Sequence, residues 1–315
     1  MPLNQKKLEI IKAASELGAG KSGARKGPEE LLHFIQNDIP ELSNTKSFEI
    51  QNFNTLKPAA KFTFANNIDI LTKALSKVSD GVEHSLKHGY FPLIFTGDHS
   101  NAIGTISGFA SHFKQEKIGV LWVDAHLDLH SPFTTPSGNI HGMALNALVG
   151  NDNLDQKKNE PNEDEIAWWQ NLKHLGSANL SPKILPQHIV YIGIRSFEKE
   201  EKALADQLNI KVYTPEDIRK IGMPKVLENS LQHLQNCDKI YVSFDVDSLD
   251  TTISKGTGTP VDGGLTLDEA RDVFQLLHHP KIAAFEITEI NPDLEENNAM
   301  IKAVDLLLRS AFQSD

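Results

Sequence analysis

Apolar residues along the chain fall into two recurring patterns. Short, near-continuous runs rich in β-branched and aromatic residues predict strands at 91–95, 118–123, 189–194, 240–244 and 282–287, with weaker runs at 8–13, 48–53 and 210–213. Between them, apolar positions three and four apart predict helices at 68–88, 102–113, 199–208, 224–234, 267–277 and 298–312. Thr266, followed by Asp268 and Glu269, marks the start of the fifth helix, because a hydroxyl cap and early acidic residues satisfy and complement a helix N-terminus. The strand runs do not alternate with polar residues, as expected when both sheet faces are covered. This order predicts a mainly parallel sheet of about eight strands with helices packed on both sides.

Two stretches break the pattern. Residues 151–165, NDNLDQKKNEPNEDE, hold a single apolar residue, Leu154, and are expected to form a solvated, mobile surface insertion within one domain spanning 1–315. Trp168 and Trp169 follow and anchor the return to the body. Residues 21–28, KSGARKGP, lack the glycine spacing of a nucleotide cradle and read as a turn.

Composition narrows the function. With 31 Lys plus Arg against 42 Asp plus Glu, the net charge of −11 argues against a nucleic-acid or acidic-membrane binder and favours a cationic or neutral small partner. The one cysteine, Cys237, rules out an intrachain disulfide and a thiolate metal cluster. No apolar run approaches the roughly 18 residues of a membrane span. The opening residues 1–11 include Glu9 and lack a small-residue cleavage site, so a cytoplasmic location is expected.

The chemistry concentrates where strand runs end. Asp124-Ala125-His126-Leu127-Asp128 follows the run at 118–123, Asp245-Val246-Asp247 follows 240–244, and Gly97-Asp98-His99-Ser100 follows 91–95. One-residue spacing sends alternate side chains to the same side of an extended chain, so Asp124, His126 and Asp128 converge, as do Asp245 and Asp247. Ligands of open α/β sheets bind at the carboxyl ends of strands. Asp98 and Ser100 are expected to cap the next helix. His99, Asp124, His126, Asp128, Asp245 and Asp247 together offer four carboxylates and two imidazoles. Their formal −4 is balanced by two divalent ions, which points to a binuclear metal site; without cations such a cluster would be driven to protonate. Oxygen-rich ligation with a minority of imidazole favours Mn²⁺, with Co²⁺ or Zn²⁺ as competitors.

These segments, TGDHS at 96–100, WVDAHLDLHSPFTTPSGNIHG at 122–142, SFDVDSLD at 243–250, TGTPVDGGL at 257–265 and EITEINP at 286–292, resemble the ureohydrolase family and, within it, the arginases. The likeness runs from about residue 8 to about 312. It implies a three-layer α/β/α fold around a parallel eight-stranded sheet, two Mn²⁺ per chain with Co²⁺ a possible substitute, and assembly as a trimer or hexamer. By resemblance, His99, Asp124, Asp128 and Asp245 hold one ion and His126, Asp124, Asp245 and Asp247 the other, with Asp124 and Asp245 bridging. The implied reaction is hydrolysis of the guanidinium group of L-arginine to L-ornithine and urea by a metal-bridging hydroxide, because a resonance-stabilised carbon needs a strong nucleophile. Asp128 would accept a hydrogen bond from that hydroxide and help move its proton, His141 would shuttle protons, and Glu289 would pair with the guanidinium beside Thr259. His130, Thr135, Ser137 and Asn139 match the loop that reads an α-carboxylate; Glu198 and Glu201 match acids near the α-ammonium. Two positions depart from the arginase pattern, His130 standing for Asn and Glu198 for Asp.

Alternative substrates within the family are agmatine, a guanidino acid and formimidoylglutamate. A non-catalytic homologue that binds arginine or a partner would be free to lose ligands, and here all six are present. A metal-dependent deacetylase of related fold would not be expected to pair the DAHLD and SFDVD segments with Glu289.

Overall fold

The strands Leu8–Ala13 (β1), Lys46–Glu49 (β2), Phe91–Thr96 (β3), Ile118–Val123 (β4), Ile189–Ile192 (β5), Lys211–Tyr213 (β6), Lys239–Asp245 (β7) and Ile282–Thr288 (β8) form one sheet in the order β2-β1-β3-β8-β7-β4-β5-β6. All its pairings are parallel. The computed structural model describes residues 6–312, so residues 1–5 of the opening stretch lie outside it. Parallel pairing puts every strand's carboxyl end on one edge. The chain steps from β3 past two places to β4, and β7 and β8 later fill the gap, a break in strand order of the kind that opens a ligand crevice.

Side chains alternate between two cores. Leu121, Val123, Val242, Phe244, Phe285 and Ile287 face the layer containing the helices Gly27–Asp38, Met223–His233, Leu267–Phe274 and Ala299–Phe312. Val120, Trp122, Tyr191, Tyr241 and Ala284 face the layer containing Ile68–Lys87, Asn101–His112, Ala144–Val149 and Glu163–Lys173. The expected three-layer α/β/α arrangement follows. Among the described residues no helix is long and apolar enough to cross a membrane.

Several boundaries differ from expectation for local reasons. β2 is Lys46–Glu49 rather than 48–53, since this edge strand is largely exposed and carries little pattern. β5 stops at Ile192 because Gly193, with φ 98°, turns the chain. Residues 24–26 of the expected turn at 21–28 form a 3₁₀ turn leading into the helix Gly27–Asp38, which hydrophobic spacing did not reveal; Pro28 starts that helix and Leu31, Leu32 and Ile35 bury its inner face. The insertion at 151–165 is not a loose loop. Asn162 and Glu165 form a reciprocal cap on Glu163–Lys173, Asp152 accepts from Trp169 Nε1 (2.8 Å) and Lys173 Nζ (2.6 Å), and Asn153 Nδ2 donates to the Glu200 carbonyl (3.0 Å). Polar bonds hold the segment where an apolar face is missing.

Candidate metal centre

Asp124 is the first residue beyond β4 and Asp245 closes β7, and the β4–β7 register sets them side by side. His99 arrives three residues after β3. Its Nδ1 lies 3.0 Å from Asp124 Oδ2, 3.1 Å from Asp245 Oδ2 and 3.2 Å from Asp128 Oδ2. His126 Nδ1 lies 3.0 Å from Asp247 Oδ2 and 3.6 Å from Asp124 Oδ1. Five of the six expected ligands thus form two adjoining clusters that share Asp124, and Asp128 joins the first through its contact with His99. Asp128 reaches its place with φ 52°, a left-handed conformation costing an L-residue roughly 1–2 kcal/mol. The donor set fits metal: buried His99 Nδ1 has no hydrogen-bond partner although three carboxylate oxygens face it at about 3 Å.

Burial and charge oppose one another in the cluster. Burial works against charge on His99 and His126, yet the surrounding aspartates outweigh it, raising His99 well above the usual imidazole range and His126 to about 12. Burial, with repulsion from Asp247 and Asp124, pushes Asp245 far up, while on Asp124 the His126 and His99 contacts outweigh burial and hold its carboxyl below the usual range. A raised imidazole stabilises the metal-free fold fully below its unfolded pKa near 6.5, and that contribution is lost as pH rises toward its folded value. Metal ligation requires neutral imidazoles and ionised carboxylates, so loading at pH 7 is expected to release at least the roughly two protons held by His99 and His126, and more if Asp245 is also protonated. Calorimetric titration with Mn²⁺ in buffers of different ionisation enthalpy measures this; heats independent of the buffer would contradict it.

Supporting contacts around the ligands were not visible in the sequence. Trp122 stacks on His99 with ring centroids 4.1 Å apart and 11° between planes, and its Nε1 donates to Asp124 Oδ2 at 2.8 Å. Asp98 does not cap the following helix by side chain; its Oδ2 accepts from Gly18 N (2.8 Å) and its Oδ1 from Ser100 N (2.8 Å) and the Ser100 hydroxyl, tying β3 to the loop after β1.

The remaining expected residues line the cleft above the clusters. His130, Thr135, Ser137, Asn139, His141, Glu198, Glu201 and Thr259 share one pocket with His99, His126, Asp128, Asp245 and Asp247. Glu289 lines an adjoining cavity that shares Asn139, His141 and Thr259. Glu289, at φ 66°, accepts on Oε1 from His99 N (2.9 Å) and pairs with His141 Nδ1 (3.1 Å). Burial lowers the His141 pKa, but this carboxylate overcomes it and holds the ring at about 9. Thr259 Oγ1 donates to Asp247 Oδ2 at 3.0 Å.

Toward the rim, both oxygens of Glu201 accept from backbone amides, and Oε2 also lies 3.6 Å from His130 Nε2. Its Oε1 accepts from Leu129 N and its Oε2 from Glu198 N, both at 3.0 Å. Glu198 is the acid left facing the opening, half-exposed, with Oε2 3.1 Å from His130 Nε2. Thr135 Oγ1 accepts from Ser137 N (3.3 Å) and Gly138 N (3.0 Å), and Asn139 Oδ1 accepts from Asn66 Nδ2 (3.0 Å). The 151–165 insertion buttresses this loop from behind: Lys158 N and Asn159 N donate to Phe133 O at 2.8 and 2.9 Å, and Asn159 Nδ2 to Thr135 O at 2.7 Å.

Comparison with known proteins agrees with this geometry. The model of the Arginase family matches residues 6–312. The arginase of Bacillus caldovelox is 32% identical over 320 residues, covering 98% of each chain, and its crystal structure superposes with a TM-score of 0.84 over 99% of both. The arginase of Entamoeba histolytica, solved in complex with L-ornithine, is 26% identical with a TM-score of 0.83 over 98% of both chains. A fold match of this extent, joined to a family match over the whole described chain, establishes that this protein belongs to the arginase family.

Proposed function

We propose that the protein is a manganese-dependent arginase that hydrolyses L-arginine to L-ornithine and urea. The observation that carries this reading is one cleft with two ends: the paired Asp and His clusters at its floor and the loop 130–139, rich in hydrogen-bonding groups, at its rim. A substrate with a guanidinium at one end and a carboxylate at the other matches both. Ornithine bound to the Entamoeba histolytica relative is the matching product.

His99, Asp124, Asp128 and Asp245 would hold one Mn²⁺, and His126, Asp124, Asp245 and Asp247 the other. Two divalent ions supply an acidified water that is nucleophilic near neutral pH. The chain's own residues do the rest. Glu289 draws the planar guanidinium into place by charge-assisted contact. Water adds to the guanidinium carbon, the bond to the side-chain nitrogen breaks, and both water protons finish on that nitrogen. Asp128, buried beside His99, carries one. His141 carries the other through Nε2, because Glu289 occupies Nδ1 and keeps the ring protonated at neutral pH.

A substrate panel on manganese-loaded protein tests the reading: arginine is expected to exceed agmatine in kcat/KM, since agmatine has no carboxylate for the loop to bind. Higher kcat/KM for agmatine would leave the family and remove the arginine assignment, and release of formamide from formimidoylglutamate would identify the other branch. The insertion gives a second test. Asn159→Ala removes the hydrogen bonds to Pro132 O and Thr135 O, each worth about 1 kcal/mol, and is expected to raise KM for arginine roughly 5- to 10-fold. Metal content and kcat should hold; a fall in kcat at unchanged KM would place the insertion in the chemical step instead.

A further inference from the structure

A polar row lies beneath the ligands and takes no part in the chemistry above. Trp122 on β4, Ser243 on β7 and Glu286 on β8 are partners across three neighbouring strands, two residues before Asp124, Asp245 and Thr288 and therefore on the same sheet face. His99 Nε2 is 2.8 Å from Ser243 Oγ, and Ser243 Oγ donates to Glu286 Oε2 at 3.0 Å. Glu286 Oε1 accepts from Thr105 Oγ1 at 3.3 Å, and Tyr241 OH donates to Thr105 at 2.8 Å. Glu286 is wholly buried in a sheet that is otherwise apolar around it, where a carboxyl group is costly unless its bonds are used.

The direction of the bonds decides what the row does. A serine hydroxyl has one proton; when Glu286 takes it, Ser243 faces His99 with lone pairs only. An Nδ1 that ligates a cation among the three carboxylates it faces leaves the imidazole proton on Nε2, which can donate to Ser243 Oγ at 2.8 Å while that hydroxyl donates to Glu286. We propose that Glu286, acting through Ser243, is a positioning residue that fixes the tautomer and orientation of His99 and so sets the affinity of the ion His99 holds. The relay reaches His99 and leaves His126, in the other cluster, untouched. The inference rests on the reading that the two clusters hold two ions.

Full-length protein stripped of metal tests it by calorimetric Mn²⁺ titration, with Co²⁺ visible absorption as a second probe of ligand geometry. Ser243→Ala and Glu286→Leu are expected to weaken one of the two binding events about 10- to 100-fold, shift the Co²⁺ bands of that ion, and leave the other event within about twofold. Glu286→Gln keeps an acceptor for Ser243 and should fall between wild type and Glu286→Leu. Unchanged affinities in Ser243→Ala and Glu286→Leu, with only thermal stability lowered, would overturn the relay, as would equal weakening of both events. Wild-type protein that bound no ion pair would overturn the two-ion reading and the relay with it, a result distinct from normal wild-type binding with indifferent variants.

Discussion

Asp124→Asn is expected to strip metal from both clusters at once. Asp124 is the residue that the clusters share, with Oδ2 3.0 Å from His99 Nδ1 and Oδ1 3.6 Å from His126 Nδ1. Asparagine keeps the shape but removes a charge from a set whose −4 matches two divalent ions. A metal ion contributes several kcal/mol of transition-state stabilisation, so losing correct ligation should lower kcat on the order of a thousandfold. Asp247→Asn, which touches one cluster, should reduce occupancy of one ion and spare the other. Elemental analysis after gel filtration reads both; equal, near-full occupancy in Asp124→Asn would break the bridging assignment. Exhaustive chelation should likewise abolish turnover and added Mn²⁺ restore it, whereas full activity in protein shown to be metal-free would end the metal reading altogether.

Glu289→Gln is expected to remove guanidinium pairing while leaving the metal in place. Its Oε1 is held by His99 N and His141 Nδ1, so an amide can keep its carbonyl there and present an NH₂ where Oε2 stood. Loss of a charge-assisted contact costs about 1.5 to 3 kcal/mol, roughly 10- to 150-fold in kcat/KM. The substitution also takes the negative partner from His141, which the carboxylate holds at about 9, so the ring's pKa should fall and the alkaline limb of the rate profile move to lower pH. Comparing Glu289→Gln with Glu286→Gln separates the two acids: the first should lose catalysis at constant metal content, the second should lose affinity for one ion. The reverse pattern would show the roles exchanged.

The candidate ligands were legible in the sequence because each group is local. Asp124, His126 and Asp128 sit within five residues of one strand end, and a run such as Ile118–Val123 announces that end. Trp122 and Ser243 of the supporting row were not legible. Trp122 reads as one more strand hydrophobe and Ser243 as a lone polar residue in an apolar run, and their meeting depends on strand order β4-β7-β8, which is settled by packing far along the chain. Ser243 was the available signal, a hydroxyl where both faces should be dry. Glu198 and Glu201 look alike as acids near an ammonium, but in the fold the amides of Leu129 and Glu198 tie both oxygens of Glu201 back, while Glu198 stays half-exposed at the opening. Glu289 was selected by resemblance; β8 ends at Thr288, and the left-handed turn at Glu289 aims the side chain.

The division of labour between sheet and insertion bears on how such a protein can change. The candidate ligands hang from strand ends fixed by two packed cores, whereas the rim rests on Asn159, Lys158 and a few polar bonds from a segment with almost no buried apolar area. Sequence drift in 151–165 away from Asp152, Asn153, Asn162 and Glu165, whose bonds hold the segment, therefore meets little resistance from folding and alters which molecules are admitted before it alters what is done to them. Libraries randomised there should yield changed substrate preference at preserved turnover far more often than libraries aimed at the floor of the cleft.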